Sequence, residues 1–83
     1  FTPNGDGVND IIYIETYGVK QFFYFEIFNR WGELIFRTTD ASFGWDGFYE
    51  GILQNNDMYV FTAHALDWFG EEIFKEGHIH LMR

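Results

Sequence analysis

The chain of 83 residues has no cysteine, a single proline, and five basic residues against 13 acidic ones. Without cysteine there is no disulfide to staple a small domain, and the compartment is left open, since thiol-free chains suit cytosol and exterior alike. The shortage of Lys and Arg, at a net charge of −8, removes the clustered cations that displace counterions from nucleic acid. An anionic membrane surface would repel such a chain as well. No stretch approaches the roughly 18 consecutive apolar residues of a spanning helix, and the opening residues carry no signal-peptide pattern. Nucleic-acid binding and membrane insertion are therefore not expected.

What the chain has in quantity is aromatic mass: 11 Phe, 5 Tyr and 3 Trp, or 23% of all residues. A domain this small buries only about 60–65% of the surface its unfolded chain exposes. Each buried aromatic removes roughly 150–250 Å² from water, worth several kcal/mol at about 25 cal/mol per Å². Aromatic burial takes the place of the missing staple. The first residue is Phe1, not Met, so the expectation is one domain excised from a longer protein, monomeric as an isolated piece.

The stretch FFYFEIFNRWGELIFR, residues 22 to 37, sets the organisation. Two apolar runs rich in Phe, Tyr and Ile flank Asn29-Arg30-Trp31-Gly32-Glu33, which predicts a hairpin bending near Gly32. In its first arm Phe23, Phe25 and Ile27 share one parity, and Phe22, Tyr24 and Phe28 the other. Before it, Asp10 leads into Ile11-Ile12-Tyr13-Ile14, apolar on both faces as in a strand covered on two sides. Residues 37 to 54 are irregular, with one short strand expected from Phe48 to Leu53. A longer strand runs from Met58 to Trp68, with Tyr59, Phe61, Ala63 and Ala65 expected on the core face. Phe69-Gly70-Glu71-Glu72 turns the chain. A closing strand from Gly77 to Arg83 turns Ile79 and Leu81 inward, with Gly77 placed where an edge strand begins. Six or seven short strands without a helix predict an all-β, immunoglobulin-like antiparallel β-sandwich, with a small open barrel as the alternative.

Few residues offer chemistry. Asn4, Asp6 and Asp10, with the Val8 carbonyl, match part of a calcium loop, while Thr2 and Tyr13 occupy the positions of its first Asp and last Glu. The same side chains could simply close turns on their own backbone. His78 and His80 share a strand face, and His64 on a neighbouring strand could complete a zinc site; solvent-facing positions explain all three equally. There is no Ser-Gly elbow and no base with an orienting carboxylate, so no catalytic residue is assigned. Trp31 and Trp45 are expected to anchor the core, Asp46 to cap a turn and Gly47 to continue it. Trp68 ends its strand, where anchoring and exposure are both compatible with its neighbours. Together the three tryptophans could instead form a sugar-stacking platform. Arg30, at the bend, can lay its guanidinium over Trp31 or pair with Glu33 or Asp46.

FTPNGDGVND, IFNRWGELIF, WDG, MYVF and GHIHLMR, in this order and spacing, closely resemble the gliding motility-associated C-terminal domain, the type B sorting domain of the Bacteroidetes type IX secretion system. The resemblance covers essentially the whole chain, and because members of the family usually continue a few residues upstream it implies that the first strand is clipped here. FTPNGDGVND and FNRWGE are together highly specific, whereas WDG alone is weak. Asp57 stands where the family usually has Gly before its Tyr-Val-Tyr-like strand. The resemblance implies an immunoglobulin-like sandwich with no enzymatic activity, carried at the C-terminus of cargo and read by the outer-membrane secretion machinery. Its motifs fall on Phe1 to Gly7 with Asn9 and Asp10, on Asn29 to Gly32, on Trp45 to Gly47, and on Arg83. Asn29, Arg30 and Arg83 are accordingly expected to meet the machinery. Calcium, at extracellular concentration, would order the opening loop after export. The destination implied is the cell surface or the medium. Rival functions are a surface-adhesion or carbohydrate-binding module and a structural spacer.

Overall fold

The computed structural model describes residues 11–12 and 18–82. Strands β1 (Val19–Phe28), β2 (Leu34–Thr38), β5 (Asp57–Asp67) and β6 (Glu72–Leu81) form an antiparallel sheet in the order β2-β1-β5-β6. The short β3 (Phe48–Tyr49) and β4 (Ile52–Leu53) pair as a second sheet, and Ile12 bridges Trp45 beside them. No helix occurs among the described residues. The protein is all-β, with two antiparallel layers arranged as a small β-sandwich.

The core lies between the layers. Phe25 and Ile27 from β1, Ile35 from β2, Tyr59 and Ala63 from β5, and Ile79 and Leu81 from β6 surround Trp45. Alternation along β5 puts Tyr59, Ala63 and Ala65 fully inside and Phe61 against the same cluster, the face that the sequence pattern assigns to the core. Trp45 is only 1% exposed. Its ring meets Tyr59 edge-on at 5.0 Å, and its Nε1 donates to the Phe48 carbonyl at 2.9 Å. The indole thus joins the second layer to the first while its one polar atom stays paired.

Of three register shifts along β1, at Val19/Gln21, Phe22/Tyr24 and Ile27/Phe28, the last two change the core pattern read from alternation. Between Phe22 and Tyr24 the register slips against β5, so that Phe22 faces Ala65 and Tyr24 faces His64. Phe22 packs on the core, whereas Phe23 and Tyr24 both contact the His64 ring, at 4.7 and 5.7 Å, on the opposite face. A bulge puts two successive residues against one partner. The core set of β1 is therefore Phe22, Phe25 and Ile27, and Phe23 leaves the parity group that simple alternation gives it. A second slip passes over Ile35 in β2, and Ile35 and Phe36 both reach the core.

The closing strand is also longer than expected. It begins at Glu72, so Gly77 is an interior position opposite Phe61. A Cβ on Gly77 would lie 2.8 Å from Phe61 Cε1. The glycine is there because the Phe61 ring lies over its backbone, not because an edge strand begins there. The strand expected from Phe48 to Leu53 is instead the β3–β4 hairpin, turned at Glu50 and Gly51, both at positive φ.

Candidate functional site

The β1–β2 turn is built by its own side chain. Asn29 Oδ1 accepts from the backbone N–H groups of Trp31 and Glu33, each at 2.9 Å. Asn29 N–H donates to the Glu33 carbonyl and Gly32 N–H to the Asn29 carbonyl, both at 3.0 Å. Asn29 Nδ2 donates to Glu33 Oε1 at 2.9 Å. Gly32 takes φ +80°, where a Cβ would be strained. Asn at the first position and Gly at the fourth are thus dictated by the turn, while Arg30 and Trp31 between them are not.

Those two side chains face outward. Trp31 is 82% exposed, which corrects its assignment as a core anchor: Asn29 holds the turn, and the indole covers no buried surface. The Arg30 guanidinium lies over the Trp31 ring, 5.2 Å from its centroid, and its Nη1 reaches Asp57 Oδ2 at 3.3 Å. Glu33 pairs with Asn29 and Asp46 accepts from Phe48 N–H at 3.0 Å, so Asp57, not Glu33 or Asp46, is the partner of Arg30. Asp57 Oδ1 also accepts from Met58 N–H at 2.8 Å. Arg30 is exposed and Asp57 half-buried, and a pair open to solvent on one side contributes about 0–1 kcal/mol. It orients Arg30 more than it secures the fold.

Around this turn a cleft of about 230 Å³ is lined by Asn29, Arg30 and Trp31 from one side and by Gln54, Asn55, Asp57 and Tyr59 from the other. Tyr59 presents its ring to the core and donates its hydroxyl to the Asn55 carbonyl at 2.6 Å. The β4–β5 connection is thereby tied to the cleft wall. The arrangement offers amide, guanidinium and carboxylate groups on a surface, suited to binding a partner's polar groups. Asp57, Gln54, Asn55 and Tyr59 were not indicated by sequence reasoning. The one available signal was Asp57, charged at a position where the resemblance leads one to expect glycine.

Of the other expected residues, Gly47 is buried at φ +88° and accepts from Gln54 N–H at 2.9 Å through its carbonyl. Asn4, Asp6, Val8, Asp10 and Arg83 lie outside the described residues. The three histidines do not converge. His64 faces Phe74, whereas His78 faces Val60 and His80 faces Met58, so His64 is about 13 Å along the sheet from His78 at roughly 3.3 Å per residue. No three His, Asp or Glu side chains among the described residues come together as metal ligands. His64 instead stacks on Phe74 at 4.0 Å and 8°, with Nε2 3.4 Å from Glu72 Oε1. The tryptophan platform fails likewise, because Trp45 is inside the sandwich.

The chain is thus a small all-β domain of the β-sandwich class, with polar groups gathered on a side-chain-locked turn. The sequence model of the CHU_C type IX secretion signal domain matches residues 1–81, and the chain belongs to that family. This is not an enzyme family, and its members act in export across the outer membrane. No curated protein and no solved structure matches the chain.

Proposed function

We propose that the chain is a non-enzymatic C-terminal sorting signal, carrying an upstream cargo through the type IX outer-membrane machinery to the cell surface or the medium. The machinery reads the surface around Asn29 and Arg30 together with Arg83. Membership of the secretion signal family carries the first statement. The second is supported by Arg30, one of five basic residues at a net charge of −8, held at an exposed turn by an ion pair too weak to be a structural tie. Its fork of donors suits a carboxylate or backbone carbonyls of a receptor. The burial of Trp45 weighs against a carbohydrate platform of three tryptophans.

The test is a passive reporter fused to residues 1–83 in a host competent for type IX secretion. Export of the reporter is expected. Arg30→Ala should abolish it while moving the urea midpoint little, and removal of Arg83 should impair it with the fold intact. Wild-type export from a reporter carrying both changes would refute the placement. Calcium held by Asn4, Asp6, Asp10 and the Val8 carbonyl belongs to the same proposal. Millimolar calcium should raise the melting temperature of the domain, and an unchanged temperature would remove the ion from it.

A further inference from the structure

The β5–β6 turn repeats the β1–β2 turn in its backbone hydrogen bonding, without the Asn29 Nδ2–Glu33 bond. Asp67 Oδ1 accepts from Phe69 N–H at 2.8 Å and from Glu71 N–H at 2.9 Å. Asp67 N–H donates to the Glu71 carbonyl at 2.9 Å, and Gly70 N–H to the Asp67 carbonyl at 3.2 Å. Gly70 stands at φ +84°. Asp67-Trp68-Phe69-Gly70-Glu71 is therefore the same device as Asn29-Arg30-Trp31-Gly32-Glu33. The device requires Asx at its first position and Gly at its fourth. It makes no demand on the second and third, which here are Trp68 and Phe69, 68% and 91% exposed. Two adjacent large aromatics on a locked tip are not accounted for by the fold.

We propose that this tip is a second docking element, whose occupant is a protein offering an apolar pocket rimmed by Lys or Arg. Aromatic side chains on a preorganised turn lose little entropy on binding and are the residues that most often anchor interfaces. Three acidic residues adjoin the pair along the chain: Asp67, whose Oδ1 closes the turn, Glu71, and Glu72 at the start of β6, whose Oε1 lies 3.4 Å from His64 Nε2; Lys20 is next to Val19, which pairs with Asp67. That local excess of carboxylates calls for a basic rim. It also disfavours an anionic lipid surface. A second copy of the chain, with five basic residues against 13 acidic ones, is a poor source of such a rim.

The tip and the Arg30 cleft are at opposite poles of the sheet. Val19 pairs with Asp67 at one end of β1, and Phe28 precedes Asn29 at the other. Ten residues at about 3.3 Å each separate them by roughly 30 Å, within a longest dimension of 39 Å. The two turns can thus be engaged by different surfaces at once.

A photoreactive benzoylphenylalanine at position 69, in the reporter fused to residues 1–83 within a type IX-competent host, tests this directly. The expected result is a protein adduct that falls at least fivefold in Glu71→Lys/Glu72→Lys, and persists in Arg30→Ala. Trp68→Ala/Phe69→Ala should lower export at least tenfold with an unchanged urea midpoint, since both rings are exposed. Because the adduct is read independently of export, failure of the sorting proposal itself would show as no export with the adduct retained. Absence of a charge-dependent protein adduct would overturn the inference. So would binding of the tip to vesicles of phosphatidylethanolamine and lipopolysaccharide in place of a protein, or a concentration-dependent dimer abolished by Trp68→Ala/Phe69→Ala.

Discussion

The two long hairpins of this domain share one turn and differ in what the turn displays. At one pole Asn29 organises the backbone, and a cation laid over an indole faces a polar cleft. At the other Asp67 accepts the same two backbone bonds, and two bare aromatics are displayed. The backbone solution is common because the strands need the same reversal: a side-chain acceptor for the N–H groups two and four residues on, and a glycine at positive φ. The display differs because the second and third positions are free of that requirement. Residues that a turn does not constrain are free to carry other chemistry.

The largest expected effect separates displayed from packed tryptophan. Trp45→Ala should cost about 3–5 kcal/mol, the usual range for a buried large aromatic. Trp31→Ala and Trp68→Ala should each stay within about 0.5 kcal/mol. Urea unfolding measures all three, and a large loss at Trp31 would mean that its turn is part of the core after all. Next in size is the device itself. Asn29→Ala and Asp67→Ala each remove one acceptor of two backbone bonds, and each should lose about 1–2 kcal/mol by the same measurement, the scale of a lost side-chain cap. Sharply unequal losses would show that the two turns are alike in geometry only.

A smaller effect should separate the turns. Asp67→Asn keeps the acceptor and should change stability by less than about 0.5 kcal/mol. Asn29→Asp also keeps it, but deletes the Nδ2 donor to Glu33 and sets two carboxylates together, so about 1 kcal/mol should be lost. Equal tolerance of both changes would deny the Asn29–Glu33 bond a role. Smallest is Arg30→Ala, expected within about 0.5 kcal/mol because the Arg30–Asp57 pair is solvated.

Alternation and turn chemistry made much of this legible in advance. The aromatic and β-branched runs around Asn29 and Gly32 announced a hairpin, because pleated strands with one buried face impose a period of two. The core face of β5, with Tyr59, Ala63 and Ala65, followed from the same period. The specific FTPNGDGVND and FNRWGE motifs pointed to the family that matches residues 1–81. The pattern was misleading where the period breaks. The bulge at Phe23 shifts Phe22 into the core and sends Phe23 to the outer face, and one skipped ladder position leaves no mark in composition.

The sequence by itself determined the class of fold, the family, and the local backbone of the turns, since each depends on short-range period, on motif, or on the φ that only glycine accepts cheaply. Tertiary structure alone decided which aromatics are inside. Trp31 and Trp45 look alike as residues, yet one is 82% exposed and the other 1%. The reason is that burial depends on what lies opposite. Trp45 pairs with Ile12 through its backbone and meets the Tyr59 ring across the sandwich, whereas Trp31 rides on a turn that its neighbour Asn29 already closes. The partner of Arg30 was settled in the same way, by the packing that brings Asp57 to it from 27 residues away.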